Sequence, residues 1–181
     1  ETTGYYENGA LDYYLKDGKT IYYRKNGSIS ETNENGVQTS YDENGNIKYV
    51  KENDLYTNHY ENGMKTVQNS DGTTTIYKGD VVLNNVDTST GRVGNFFGWI
   101  GCVKNNSCIY YDQNGDITMI YSTDIYPNGV EINKNDLKIT NTGDIKMNFS
   151  KENMTATYTN LDGSVINVYH YNQDGTLNYI E

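Results

Sequence analysis

The chain has 181 residues, a formal net charge of −10 at pH 7 and 35% hydrophobic residues, and these values exclude several classes of protein. The acidic balance, with no basic stripe, argues against a nucleic-acid partner, because such surfaces need clustered Lys and Arg. No apolar run approaches the roughly 20 residues of a membrane span, so we expect no membrane insertion.

Glycine recurs every nine residues at the start of the chain, and each glycine follows Asn or Asp. The series is Gly9, Gly18, Gly27, Gly36, Gly45, Gly63 and Gly72, with Asp54 in the one missing place. Asn-Gly and Asp-Gly are the strongest short-range signals for β-hairpins. The spacing therefore predicts an all-β fold, an antiparallel meander built from nine-residue hairpin repeats.

The length of each loop decides which side chains share a face of the sheet. A two-residue turn leaves neither face apolar. A three-residue loop such as Glu7-Asn8-Gly9, with a bulged glycine, places the odd-numbered strand residues on one face. That face would carry Leu11, Tyr13, Leu15, Ile21, Tyr23, Ile29, Val37, Tyr41, Ile47, Tyr49, Leu55, Val67 and Tyr77. We therefore predict three-residue loops, a buried odd face and a solvated even face.

A single domain, residues 1–181, is predicted to consist of three parts. Residues 1–78 hold the regular repeats, residues 79–109 form an irregular insertion, and residues 110–181 continue the pattern with looser spacing. Roughly 15 strands are too many for one flat sheet. We expect the sheet to be elongated and either to curl on itself or to fold into two packed sheets.

Two cysteines, Cys102 and Cys108, lie six positions apart in the irregular insertion. A zinc site would need two more ligands, and His59 and His170 are isolated, so we predict no metal and no cofactor. A disulfide between Cys102 and Cys108 is the favoured interpretation, and it would indicate an oxidising compartment. Two free thiols are the alternative.

The same insertion holds the only Trp and two of the three Phe residues of the chain. If Phe96, Phe97, Trp99 and Ile100 are exposed, they form an interaction patch. If they fold back, they close an open end of the sheet, with the cysteine pair holding them in place. We favour the second interpretation.

Tyrosines on the solvated even face form a second candidate surface, which consists of Tyr14, Tyr22, Tyr56 and Tyr60. Tyrosine presents a rigid amphipathic surface that suits contacts with proteins or sugars. The alternative is that these side chains only pair across strands.

No catalytic site is predicted from the sequence. His59 stands where other repeats carry Tyr, so we expect it to pack, and His170 lies between Tyr169 and Tyr171 as a solvated or cross-strand residue. Most Glu and Asp residues fall in turns, where they favour turn formation and solubility. We therefore expect a protein that is not an enzyme.

Several segments resemble known repeat families. Residues 41–47 (YDENGNI), 111–117 (YDQNGDI) and 171–177 (YNQDGTL) resemble the YD repeat of RHS proteins, and residues 5–11 (YYENGAL) are similar to the MORN-variant repeats of YwqK-type proteins. RHS and YD-repeat proteins are typically secreted or surface-attached. Together with the cysteine pair, the resemblance implies a β-rich bacterial protein that is extracellular or at the cell surface.

These observations lead us to expect a non-catalytic, exported bacterial β-repeat protein that acts as a surface-display or protein-binding module. Two alternatives stay open: a carbohydrate-binding module that uses the exposed tyrosines, and an intracellular antitoxin-like binder, which the YwqK resemblance would imply. The expected partner is a protein, with a glycan as the alternative. Unprotected edge strands also make edge-to-edge self-association an expectation.

Overall fold

Antiparallel hairpins make up the fold of the chain. The computed structural model describes residues 1–96, 99–125, 131–133, 138–140 and 145–181. These residues include no helix, and therefore none of the length and hydrophobicity that a membrane span needs. The pairings within each sheet are antiparallel and join strands that are neighbours in sequence. The predicted all-β meander is confirmed.

The chain divides into two compact units, Glu1–Ser70 and Asp71–Glu181. The strands of the first unit are β1 (Thr2–Tyr5), β2 (Leu11–Lys16), β3 (Lys19–Tyr23), β4 (Ile29–Glu34), β5 (Val37–Tyr41), β6 (Ile47–Glu52), β7 (Leu55–His59) and β8 (Met64–Gln68). The boundary between the units falls inside the section 1–78, which the sequence presents as one regular array. That all 181 residues form a single domain stays a prediction.

The second unit contains more than one sheet. Its strands are β9 (Thr73–Lys78), β10 (Val81–Asp87), β11 (Arg92–Phe96), β12 (Trp99–Lys104), β13 (Ser107–Tyr111), β14 (Ile117–Ser122), β15 (Glu131–Asn133), β16 (Lys138–Thr140), β17 (Ile145–Ser150), β18 (Thr155–Asn160), β19 (Val165–Tyr171) and β20 (Leu177–Ile180). Strand β9 pairs with β10. Strands β11–β14 form one sheet in sequence order, and β15–β20 form another.

Two kinds of hairpin loop alternate along the first unit. The two-residue turns, in which both residues have positive φ, are Asp17-Gly18, Asn35-Gly36 and Asn53-Asp54. The three-residue loops, in which only the glycine has positive φ, end at Gly9, Gly27, Gly45 and Gly63. Each kind recurs every 18 residues. The predicted three-residue loop is therefore correct at every second turn and wrong at the turns between them, which have type I′ geometry.

This alternation overturns the prediction of one odd-numbered face. A two-residue turn places an odd residue opposite an even one, as it does for Tyr13 and Tyr22. Beyond three of the three-residue loops, one extra residue bulges from the following strand and has the same effect. The extra residues are Asp12, Ser30 and Lys48. Odd and even positions therefore alternate from strand to strand on each face from β1 to β7, whereas β7 and β8 present residues of equal parity.

Each face of the first unit carries a ladder of directly opposed residues that crosses all the strands. The ladder of one face, here named the tyrosine-pair face, is Gly4, Tyr13, Tyr22, Glu31, Ser40, Tyr49, Asn58 and Thr66. The ladder of the other face, here named the β-branched face, is Thr3, Tyr14, Ile21, Thr32, Thr39, Val50, Thr57 and Val67. The nine-residue period thus marks residues that stand side by side on the tyrosine-pair face.

The first unit has almost no buried core. Only Met64 and Thr66 are buried among residues 1–70, all of which the structure describes. The strands of this unit form one layer, so the apolar side chains of both faces are half-buried or exposed, and the prediction of a buried face is wrong here. Large exposed side chains include Tyr5, Leu15, Tyr22, Ile29 and Ile47.

The second unit holds the hydrophobic core, which lies between the sheet β11–β14 and strands β17–β20. Ile109 and Ile120 from the first of these sheets, and Ala156 and Tyr158 from the second, are at most 1% exposed. The Tyr158 hydroxyl accepts a hydrogen bond from the Ser122 backbone N–H at 2.7 Å, which joins β14 to β18. These two sheets bury apolar faces against each other, and β13 is buried on both of its faces.

Candidate functional site

Cys102 and Cys108 do not form the predicted disulfide, and both are free and buried. In the β12–β13 ladder, Cys102 lies opposite Ile109, whereas Cys108 lies opposite Val103. Because successive side chains of a strand alternate in direction, the two thiols point to opposite faces of the sheet and cannot reach each other. The cause is the two-residue turn Asn105-Asn106. Across such a turn an even-numbered residue lies opposite an odd-numbered one, so the even-numbered Cys102 and Cys108 lie on opposite faces.

Burial decides the chemistry of both thiols. It raises the pKa of the Cys102 thiol to about 12 and also raises the pKa of Cys108. Since the thiolate is the nucleophile and the metal-binding form, both groups stay protonated and unreactive near neutral pH. They act as small apolar side chains of the core. The cysteine argument for an oxidising compartment is thereby removed.

The predicted aromatic patch is split between the two faces of the sheet β11–β14. Phe96 and Trp99 are directly opposed in the β11–β12 hairpin, and each ring meets Tyr110 edge-on, at centroid distances of 6.2 and 5.8 Å. Ile100 points to the opposite face and is 3% exposed. Phe97 lies outside the described residues. The described members of the patch are therefore packed against their own sheet or buried in the core.

A buried polar cluster joins β10, β12 and β13, and no motif in the sequence indicates it. Asn84 is 5% exposed, donates a hydrogen bond from Nδ2 to the Tyr111 hydroxyl at 2.9 Å, and accepts one from Lys104 Nζ at 2.9 Å. Its Nδ2 also lies 3.4 Å from the Asp174 carbonyl oxygen. Burial raises the pKa of Tyr111. The hydrogen bonds of Asn84 thus tie β10 to β12 and β13.

A cleft of about 260 Å³ opens beside Tyr111. Its lining consists of Val82, Leu83, Tyr111, Gly115, Asp116, Ile117, Lys151, Met154 and Gln173. The Lys151 ammonium lies 3.2 Å from the Asp116 carboxylate and 3.7 Å from that of Asp112. In the part of the chain that the structure describes, no three His, Cys, Asp or Glu side chains gather as metal ligands. The cleft thus presents a lysine whose positive charge is balanced by two carboxylates.

The four predicted tyrosines do not share one face. Tyr22 and Tyr56 lie on the tyrosine-pair face, whereas Tyr14 belongs to the ladder of the β-branched face. The Tyr60 hydroxyl lies 3.5 Å from Thr66 Oγ1, which places that side chain with Tyr22 and Tyr56. Three of the four residues therefore share a face, with Tyr22 on β3 and Tyr56 four strands away on β7.

The tyrosine-pair face carries two aromatic pairs. Tyr13 and Tyr22 have centroids 6.3 Å apart, and Tyr49 meets Tyr56 edge-on at 5.7 Å. Four strand spacings, about 19 Å at ~4.8 Å each, separate the two pairs. The odd-face prediction assigned Tyr13 and Tyr49 to a buried side, so sequence reasoning missed both as surface residues.

Polar side chains fill the space between and beside these pairs. On the tyrosine-pair face, β4 and β5 present Glu31, Asn33, Gln38 and Ser40. Next to Tyr56, the Lys51 ammonium lies 5.5 Å from the ring centroid and 2.9 Å from the Asp54 carboxylate. The hydrogen bond and charge of Asp54, followed by the contact with Tyr56, raise the pKa of Lys51, so the ammonium beside Tyr56 stays charged. The face therefore combines two apolar platforms with groups that donate and accept hydrogen bonds.

The two histidines lie in different surroundings. His59 is exposed, not packed as predicted, and lies opposite Lys65; partial burial and that ammonium lower its pKa. His170 stacks on Tyr179 at a centroid distance of 4.1 Å, and its Nε2 lies 3.4 Å from the Glu181 carboxylate. Its place in the β18–β20 ladders fits the predicted cross-strand role.

Comparison with known proteins leaves the family of the chain open. No family model and no curated protein matches it. Among solved structures, a mutant of the TCP10 domain of CPAP from Danio rerio matches with 15% sequence identity over 92% of this chain and 97% of that chain, at a TM-score of 0.41. A match at this TM-score supports no conclusion about function.

Proposed function

We propose that the protein is a non-catalytic protein-binding module whose contact surface is the tyrosine-pair face. The observation that carries the proposal is the presence of two surface aromatic pairs, Tyr13 with Tyr22 and Tyr49 with Tyr56, on a sheet with a single layer. Tyrosine supplies a large contact area and has few rotatable bonds, so little conformational entropy is lost on binding.

The strands fix these pairs before any partner arrives. Tyr22 lies directly between Tyr13 and Glu31, and Tyr49 lies between Ser40 and Asn58. Each ring is therefore held between neighbours on both sides, and its position is set by the hydrogen-bonded ladder. Aromatic anchors surrounded by polar side chains are the usual composition of protein interfaces.

A glycan ligand is the second candidate, and the amides on this face favour it. Asn33 and Gln38 are direct neighbours between the two aromatic pairs. Side-chain amides both donate and accept hydrogen bonds, which matches the hydroxyl groups of a sugar. A sugar ring on one tyrosine pair would have such an amide within one or two strands.

We also propose that the protein is exported from a bacterium, as the resemblance to RHS and YD-repeat proteins implies. This proposal now rests on residues 41–47, 111–117 and 171–177 alone, because Cys102 and Cys108 are free. The antitoxin-like alternative places the protein in a reducing cytosol, and two buried thiols are compatible with that compartment.

The test compares one tyrosine from each aromatic pair with a tyrosine on the opposite face. Wild type, the double variant Tyr22→Ala/Tyr56→Ala, and the control Tyr14→Ala are applied to a protein array and to a glycan array. We expect specific protein spots that the double variant binds at least about tenfold more weakly and that Tyr14→Ala still binds. Far-UV circular dichroism verifies that each variant is folded.

Three outcomes decide between the candidates. Binding to proteins that depends on Tyr22 and Tyr56 supports the proposal. Binding to glycans alone, with the same dependence, replaces it with the second candidate. Binding that Tyr14→Ala weakens as much as the double variant does, or no binding on either array, rejects the tyrosine-pair face.

A further inference from the structure

The β-branched face of the first unit carries many apolar side chains beside its threonines and charged strand ends, and none of them is buried. Besides its central ladder, it carries three apolar pairs next to the three-residue loops: Tyr5 with Leu11, Tyr23 with Ile29, and Tyr41 with Ile47. All these side chains are half-buried or exposed. An apolar sheet face of this size is normally covered by a second layer.

The order of residues on this face is self-complementary. A two-fold axis parallel to the strands, placed between β4 and β5, sets β3 of one copy over β6 of a second copy and β4 over β5. Ile21 then faces Val50, Tyr23 faces Ile47, and Ile29 faces Tyr41, according to their positions in the ladders. Apolar residues therefore meet apolar residues at these three positions, and Thr32 meets Thr39 between the central strands.

Charged residues at the two-residue-turn end fit the same axis. Lys19 begins β3 and Glu52 ends β6, and both lie on the β-branched face. The axis brings Lys19 of one copy over Glu52 of the other, twice per dimer. The same axis places Lys16 over Leu55 and Glu34 over Val37, so no two like charges oppose each other.

We propose that the β-branched face is the interface of a homodimer, in which a second copy of this chain covers the face. Eight strands ~4.8 Å apart and ~17 Å long give a face of about 600 Å², or about 1,200 Å² for two copies. That area is at the lower end for specific interfaces, so the dimer is reversible. Dimerisation leaves the tyrosine-pair face pointing outward, and this inference does not depend on the function proposed for that face.

Sedimentation of the full chain between about 1 μM and 1 mM tests the dimer. We expect a concentration-dependent monomer–dimer equilibrium for wild type. Lys19→Glu and Glu52→Lys should each weaken it about tenfold, because each places like charges together twice. Both side chains are at the surface, and the loss of the exposed Lys19–Glu34 ion pair should leave the fold intact.

The deciding measurement mixes the two weakened variants, Lys19→Glu and Glu52→Lys. In a mixed dimer, the two substituted side chains face each other with opposite charges, and so do the native Glu52 of the first variant and the native Lys19 of the second. Association should therefore return to about the wild-type level. The control Lys51→Glu changes the same charge on the tyrosine-pair face and should leave dimerisation unchanged.

Three results would reject the homodimer. The first is a wild type that stays monomeric at about 1 mM, a concentration at which even a weak specific dimer forms. The second is a pair of charge variants that associate as wild type does, as edge-to-edge pairing would allow. The third is a mixture of the two variants that associates no more tightly than its components.

Discussion

The two units use the same hairpin loop in different ways. In the first unit, the three-residue loops at Gly9, Gly27 and Gly45 have no atom of another residue near the position of a Cβ. In the second unit, the equivalent loops at Gly115 and Gly175 are packed against Leu83 and Ile109, whereas the loop at Gly163 is open. Packed loops therefore accompany the core of the second unit, whereas the first unit, in which these loops are open, has almost no core.

The largest expected effect comes from adding a Cβ at the glycine of a loop that packs against another strand. Gly175→Ala would put a Cβ 2.7 Å from Ile109 Cδ1, at a φ of +83°, and should cost about 2–4 kcal/mol through strain and overpacking. Gly27→Ala has a φ of +84° and open space, so it should cost only about 1 kcal/mol. Urea denaturation followed by Trp99 fluorescence for the second unit and by circular dichroism for the first gives both values. Equal costs would contradict the role of docking.

Replacing a buried amide should lower the free energy of unfolding more than replacing a half-exposed one. Asn84→Leu leaves the Tyr111 hydroxyl and the Lys104 ammonium without their partner, which should cost about 2 kcal/mol. Asn58→Leu, on the half-exposed tyrosine-pair face, should change stability by less than about 0.5 kcal/mol. The free energy of unfolding of each variant, measured in urea, checks this difference. A harmless Asn84→Leu would mean that the polar cluster does not hold β10 to β12 and β13.

Alkaline pH should destabilise the second unit through the buried Cys102 thiol. Burial raises the pKa of Cys102 from its ordinary value of 9.0 to about 12, so between these values the folded state binds more protons than the unfolded state. The contribution of the Cys102 thiol to the free energy of unfolding is therefore fully present below pH 9 and is lost as the pH rises towards 12. Cys102→Ala should reduce the slope of stability against pH in this range, which Trp99 fluorescence in urea at about pH 7 to 11 measures. An unchanged slope would assign the effect to the tyrosines.

The smallest effect should come from completing the glycine series of the first unit. Asp54 has a φ of +63° in the turn after Asn53, where glycine carries no steric penalty. Asp54→Gly should raise the melting temperature of the first unit by about 2 °C, although it removes the ion pair with Lys51. Lys51→Ala removes the same ion pair and leaves φ unchanged, so it supplies the baseline. Circular dichroism on heating makes the comparison, and a lower melting temperature than that of Lys51→Ala would count against the argument.

The hairpins could be predicted from Asn-Gly and Asp-Gly, but the alternation of loop types could not be read from those dipeptides, because they suit both types. A finer signal lies one residue later. Asn26 Oδ1 accepts hydrogen bonds from the N–H and the hydroxyl of Ser28, and Asp162 does the same for Ser164. Ser directly after the glycine thus accompanies the three-residue loop at Gly27, whereas Ala10, Asn46 and Met64 follow the glycine of the other three such loops in the first unit.

The candidate surface was predictable only in part. The tyrosine content and the exposure of Tyr22 follow from the sequence, whereas its partner Tyr13 was misplaced because parity along the chain depends on every intervening loop. Asn84 could not be found at all. Its partners Tyr111 and Lys104 are 27 and 20 residues away, and only tertiary packing brings them together.

The 18-residue alternation of loops makes the first unit extendable in fixed steps. Since one two-residue turn and one three-residue loop restore both the direction of the chain and the assignment of residues to faces, strands can be added or removed only in pairs. Each step changes the width of the sheet by about 10 Å and leaves every remaining ladder in register. Duplication or deletion of one such 18-residue step can therefore lengthen or shorten the array, and the remaining residues keep their places on both faces.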